Sequence, residues 1–142
     1  MTDTATETRS VVVEREIPFP PEKLWRALTQ PHLIEEWLMK TDFRPEVGHR
    51  FNLSGDWGGV ECEVRVVEPN EALSYTWNHV HEDPAYALES VVTFTLTPMG
   101  AGTLLRMEQV GFRPDQKQAF GGAQAGWRGH LENLEKVVAR LD

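Results

Sequence analysis

The sequence predicts an α+β domain in which a curved antiparallel sheet wraps around one long C-terminal helix, with two short helices after the first strand. Three observations carry this. From residue 49 to residue 110, runs rich in β-branched and aromatic residues alternate apolar with polar side chains, the pattern of a sheet with one covered and one wet face. Two proline-initiated helical patterns, PPEKLWRALTQ and PHLIEEWLM, follow the first strand-like run. The chain then closes on Phe120, Trp127, Leu131, Leu134, Val138 and Leu141, which at about 100° per residue fall on one stripe of a helix.

The elements follow in order. SVVVEREI (10–17) has the length and β-branched content of a strand. Pro21 then opens a helix with Leu24 and Leu28 on one face and Trp25 beside them. Pro31 ends it and opens a second, where Ile34, Trp37 and Leu38 share a face. HRFNLS (49–54) is a strand and GDWGG (55–59) a turn. VECEVRVVE (60–68) places Val60, Cys62, Val64 and Val66 together, opposite Glu61, Glu63 and Arg65. LSYTWNH (73–79) aligns Leu73, Tyr75, Trp77 and His79. LESVVTFTL (88–96) aligns Ser90, Val92, Phe94 and Leu96, and TLLRMEQV (103–110) aligns Thr103, Leu105, Met107 and Gln109. The last helix is expected from about residue 115 to 140.

At 142 residues the chain is long enough for one domain with a real core, placed at 10–142 behind a polar, disordered lead, MTDTATETR (1–9). No internal repeat, low-complexity tract or linker divides it. The lead lacks the apolar centre of a signal peptide, and no apolar run approaches the roughly 20 residues of a membrane span, so the expected location is cytoplasmic, away from membranes. A single cysteine rules out an internal disulfide framework. A net charge of −8, without clustered Lys and Arg, argues against nucleic acid as a partner.

Five segments in this order, PPEKLWRALTQPHLIEEWL, PEVGHRFNL, VVEPNEALSYTW, VVTFTLTPMGAGTLL and GWRGHLENLEKVV, resemble the START-like (SRPBCC) helix-grip domains. Among these they look like the family named for its similarity to the C-terminal domain of the activator of the heat-shock protein 90 ATPase. The resemblance covers roughly residues 11–141 and rests on the ordered set, since no single piece is specific. It implies a cavity between sheet and last helix. The wider superfamily includes lipid-transfer domains, hormone binders and aromatase/cyclase enzymes, unified by the cavity and not by a chemistry. Many members carry a histidine late in the strand after the glycine-containing turn. Gln109 stands there in this sequence, so a role that depends on an ionisable imidazole at that position does not carry over.

The inward face holds more aromatic and polar groups than aliphatic packing needs. Trp37, Tyr75, Trp77 and Trp127 are candidate pocket walls, and His79, Gln109 and His130 are candidate groups to orient a guest. The competing reading makes the tryptophans core residues and satisfies each polar group from the backbone. HVHEDP (79–84) offers His79 and His81 on one side, but a zinc site needs three or four ligands, so no metal is expected. Cys62, flanked by Val60 and Val64, reads as a buried inert thiol. Glu61 and Glu63 read as solvated carboxylates. No nucleophile elbow, phosphate loop or dinucleotide fingerprint is present, and no cofactor is expected.

One feature of the last helix runs against its propensity. Gly121, Gly122, Gly126 and Gly129 fall in its first half, each disfavoured by about 1 kcal/mol against alanine. Gly122, Gly126 and Gly129 project about 200–260° from Trp127, off the apolar stripe. They mark either close approach of another backbone, from a loop or a second subunit, or a loosened half that admits a guest.

The expected function is binding of a small apolar or aromatic molecule between sheet and last helix. A second reading is a cyclase-, dehydratase- or hydrolase-type enzyme with His79 or His130 as general acid/base. A third, a chaperone-interaction module, is suggested by the family name. It is disfavoured because the eukaryotic activator also has an N-terminal domain that this sequence does not contain. A homodimer is compatible with the sequence, and catalysis against binding is left open.

Overall fold

A computed structural model describes residues 9–55, 58–83 and 87–141. Its elements are β1 (Arg9–Ile17), α1 (Pro21–Thr29), α2 (Pro31–Trp37), β2 (Lys40–Thr41), β3 (Arg50–Gly55), β4 (Gly58–Glu68), β5 (Ala72–His79), β6 (Leu88–Met99), β7 (Gly102–Phe112) and α3 (Lys117–Ala139). The strands form one seven-stranded sheet in the order β1-β7-β6-β5-β4-β3-β2, with every neighbouring pair antiparallel. The α+β expectation holds, with the sheet curved and the long helix last.

The two short helices carry the chain from one edge strand, β1, to the other, β2. Both lack a side-chain cap and begin on proline, whose missing N–H is one a first turn leaves unpaired anyway. Gln30 joins them. Its N–H bonds back to the Arg26 carbonyl while its own carbonyl accepts from Leu33 and Ile34. The Trp37 indole N–H donates to the Ala27 carbonyl at 2.8 Å, locking α2 onto α1. These helices bury Leu24, Ala27, Leu28, Leu33, Ile34 and Trp37.

Helix α3 buries Trp127, Leu131, Leu134, Val137 and Val138, while Phe120 and Leu141 are only partly covered. Its backbone approaches β1, α2 and α1 most closely. Two ion pairs mark those seams, Arg15 with Glu135 at 2.8 Å and Arg140 with Glu36 at 3.0 Å. The Arg15 and Glu135 side chains are 37% and 30% exposed and those of Arg140 and Glu36 63% and 43%, so solvent screens both pairs and they contribute little beyond alignment. The centre of the sheet is reached through long side chains.

The sheet departs from simple alternation in two places. Between β4 and β5 the register shifts between Val64 and Val66, so Arg65 is an extra residue. Val66 therefore leaves the inward row assigned to it by alternation, and Val67, opposite Leu73, packs against the core instead. Between β1 and β7 a second shift falls at Gly111, whose φ of 132° suits glycine. A Cβ there would also collide with the Glu89 carbonyl. Such bulges bend the strands that carry them, which curves the sheet toward the helix.

Smaller differences follow from hydrogen bonding that spacing does not encode. Arg9 pairs with Phe112 and belongs to β1 and not to the expected lead, the rest of which lies outside the described residues. Two-residue β2 has no periodicity to detect, yet Asp42 and Thr41 pin it to Asn52. Strands β6 and β7 extend to within two residues of each other, leaving only Gly100 and Ala101 as the turn. Asp56 and Trp57 of the expected 55–59 turn, Pro84 of HVHEDP, and Asp142 lie outside the described residues.

Leu134 is fully buried at the centre of the anchoring half of α3. Leu134→Ala is expected to destabilise the protein by about 2–5 kcal/mol in denaturant melts, through lost burial plus a residual cavity. A loss under about 1 kcal/mol would show that this face of α3 is not the core.

Candidate functional site

Strand register sets the site's layout. Trp77 pairs with Ser90 across β5 and β6, and Val92 pairs with Gln109 across β6 and β7. Period-2 alternation then points Trp77, Ser90 and Gln109 to the same face, beneath Trp127 of α3. The Trp127 Nε1–H donates to Gln109 Oε1 at 2.7 Å, Gln109 Nε2–H donates to Ser90 Oγ at 3.0 Å, and the Ser90 hydroxyl donates to the Trp77 carbonyl at 2.6 Å. An indole can only donate and a carbonyl can only accept, so the two ends fix the direction of every bond between them. The amide of Gln109 has one permitted orientation.

Around this relay the aromatic rings form a connected set. Trp127 lies 5.2 Å from Trp77, 5.8 Å from Phe94 and 5.6 Å from His130, between ring centroids. Phe94 also meets Trp37 edge-on at 6.1 Å and Tyr75 at 6.0 Å. Tyr75 continues the cluster to Phe43 and Phe51. Six of the seven sequence-derived residues, Trp37, Tyr75, Trp77, Gln109, Trp127 and His130, are thus joined by ring contacts or hydrogen bonds. The seventh, His79, lies half-buried at the end of β5, with the His81 ring 6.1 Å away.

Ser90 and Phe94 were not among the candidate site residues, although both stood on the inward row of β6. Phe94 links three of the candidates. The legible signal was Ser90, a polar residue at an inward position between apolar ones, which must answer to a buried partner.

Burial drives the ionisable groups of this interior toward neutrality. The Tyr75 phenol is held well above its ordinary range by desolvation, with the nearby Cys62 adding to it. Cys62 is pushed up to about 12, first by burial and then by Asp42 and Glu61, so its thiol stays protonated and unreactive. Burial lowers the His130 imidazole, a shift partly opposed by a hydrogen bond to the Trp37 backbone. Among the described residues, every buried side-chain polar atom has a hydrogen-bond partner.

Grooves on the outside have a different character. One of about 380 Å³ follows the wet face of β3, β4 and β5, where Glu63 stands between Arg50 at 3.4 Å and Arg65 at 3.5 Å. Another of about 350 Å³ runs between β1 and α3. Neither is lined by the seven candidate residues. Solvated charges wall the first, so an apolar guest gains little there.

The loop before α3 is tied to the start of β6. Buried Gln116 accepts from the Arg113 N–H and donates to the Ala87 carbonyl at 2.7 Å, and Phe120 packs edge-on against Phe112. The four glycines follow directly. A Cβ added at Gly121, Gly122, Gly126 or Gly129 would meet nothing within 4 Å, so among the described residues no loop packs against them.

A curved antiparallel sheet closed by one long C-terminal helix, with two short helices after the first strand, defines a START-like helix-grip domain. Residues 18–139 match the family described as activator of Hsp90 ATPase homolog 1-like protein, and the chain belongs to that family. Among solved structures it is similar to protein MLL2253 from Mesorhizobium loti, 68% identical over 94% of this chain and 99% of that one, with a TM-score of 0.91. It is also similar to CalU16 from Micromonospora echinospora, 25% identical over 99% of this chain and 82% of that one, TM-score 0.77. The Aha1 dimer from Colwellia psychrerythraea shares the fold at 19% identity, over 92% of this chain and 96% of that one, TM-score 0.79. No match is found among curated proteins. No helix among the described residues is long and apolar enough to cross a membrane.

The lowered His130 pKa carries a signed consequence. The folded state disfavours the imidazolium, so below the ordinary histidine value of 6.5 the unfolded chain binds more protons. The contribution is complete above that pH and is lost as pH falls through 6.5 toward the folded value. Denaturant stability measured against pH is expected to fall less steeply below 6.5 in His130→Gln than in the parent. Parallel curves would remove His130 as the source.

Proposed function

We propose that this protein binds a small apolar or aromatic molecule between the sheet and the first half of α3. The observation that carries the reading is the aromatic set of Trp37, Trp77, Phe94 and Trp127 around a buried, uncharged hydrogen-bond relay. Aliphatic side chains would fill the same space with no polar group to satisfy. The rings now touch one another, so a guest must part α3 from the sheet. The glycine-bearing half of the helix supplies the weak end for that movement, while Leu131, Leu134 and Val138 hold the other.

A cyclase-, dehydratase- or hydrolase-type activity is the second reading. It is favoured by His130, a half-buried imidazole held neutral beside Trp127 and therefore available as a base. A homodimer also enters as a proposal, from the Colwellia relative named as a dimer. A chaperone contact rests on the family description alone.

A neutral fluorescent probe such as N-phenyl-1-naphthylamine is expected to bind one saturable site with micromolar affinity and quench tryptophan emission. Trp77→Leu should weaken that binding several-fold while most of the stability remains, because Trp77 is only partly buried. Absence of saturable binding across a chemically varied probe set would defeat the reading.

The glycines separate a movable helix end from a subunit contact. Gly126→Ala and Gly129→Ala are each expected to stabilise the free protein by up to about 1 kcal/mol, since both positions are helical and open. They should also slow probe association in stopped flow. Amides of the glycine-bearing half should exchange with solvent faster than those of Leu131 to Val138, and bound probe should slow that exchange. Destabilisation, or loss of a dimer seen by light scattering, would assign these glycines to subunit contact.

A further inference from the structure

Given that binding reading, we infer that the interior accepts only uncharged guests, and that its preferred guest is an aromatic molecule with one acceptor oxygen that takes the Trp127 N–H in place of Gln109. Two independent features lead there. First, the buried polar side chains among the described residues are Thr29, Ser74, Ser90, Thr103, Gln109 and Gln116, and no Asp, Glu, Lys or Arg joins them. The ionisable groups within the cluster, Tyr75, Cys62 and His130, are each pushed toward the neutral form by burial. A carboxylate or ammonium guest would surrender its hydration and find no counter-charge.

Second, the relay has only one end at which a guest can substitute without breaking the rest. Ser90 is anchored on the Trp77 carbonyl, and Gln109 is anchored on Ser90, both inside the sheet. The Trp127–Gln109 bond instead crosses the seam between α3 and the sheet. A guest that wedges α3 away from β7 breaks that bond first. The indole can only donate, so a guest without an acceptor leaves a buried donor unpaired. A ketone or ether oxygen takes the Trp127 N–H while the Gln109 Nε2–H keeps its bond to Ser90. The Gln109 oxygen so released is an acceptor, a kind of buried group more readily left under-satisfied than an N–H. Ring stacking against Trp77 and Phe94 supplies the aromatic preference.

The experiment titrates the intact chain with four naphthalenes of one size. These are 2-acetylnaphthalene (neutral acceptor), 2-isopropenylnaphthalene (its hydrocarbon isostere), 2-naphthoate and 2-naphthylmethylammonium. The ketone should bind at least about tenfold more tightly than either ion, and several-fold more tightly than the hydrocarbon. Trp127→Phe, which keeps a ring and removes the donor, should erase the ketone's advantage over the hydrocarbon. Gln109→Leu, which frees the donor, should widen it. Naphthoate or ammonium binding within threefold of the ketone would overturn the exclusion of charge. A ketone advantage that survives Trp127→Phe would overturn the role of the indole. No saturable binding by any of the four would instead defeat the underlying binding reading.

Discussion

A buried indole N–H must have an acceptor, and Trp127 is the side chain by which the last helix reaches the middle of the sheet. Much else follows from that one requirement. Gln109 must lie inward on β7, which demands that β6 and β7 pair with Val92 opposite Gln109. A slip by one residue would turn the amide to solvent and orphan the indole, leaving Ser90 only its bond to the Trp77 carbonyl. Gly111 then lets β1 keep its own pairing past the point where β7 bends. Helix position, strand register and curvature therefore answer to a single donor.

The helix divides into two kinds of contact because of this arrangement. From Leu131 onward it is held by aliphatic burial against β1, α1 and α2, which is strong and indifferent to orientation. Before that point it is held by oriented contacts: the Trp127–Gln109 bond, the bond between His130 and the Trp37 backbone, a few ring edges and the Phe120–Phe112 pair. Directional contacts are lost abruptly when geometry shifts, whereas aliphatic contact decays with area. An α/β seam built this way can separate at one end without coming apart at the other.

The architecture was legible because it is written in periods. Alternation named the inward rows of β5, β6 and β7, and the stripe from Trp127 to Val138 named the face of α3. What escaped was whatever depends on a neighbour across space. The extra residue at Arg65 exchanges Val66 for Val67, and nothing in VECEVRVVE distinguishes the two. Of the candidate site, Gln109 and Trp127 could be named but not paired, and Ser90 was visible only as a polar residue in an apolar row. A family resemblance supplied the cavity as an expectation. The polar relay that joins Trp127 to the sheet came from register.

The pairing of β1 with β7 has a consequence for how the chain is made. β1 ends at Ile17 and its sheet partner is complete only at Phe112. At ordinary rates of translation that is roughly 5–20 seconds during which Val11, Val12 and Val13 have no strand to join. An unpaired strand of that composition is a template for other nascent chains. The residues that follow, Glu14, Arg15 and Glu16, place charge directly beside the valines, on the segment that waits longest. In the finished protein Arg15 reaches Glu135, so one of these charges is taken up only after the last helix has been made.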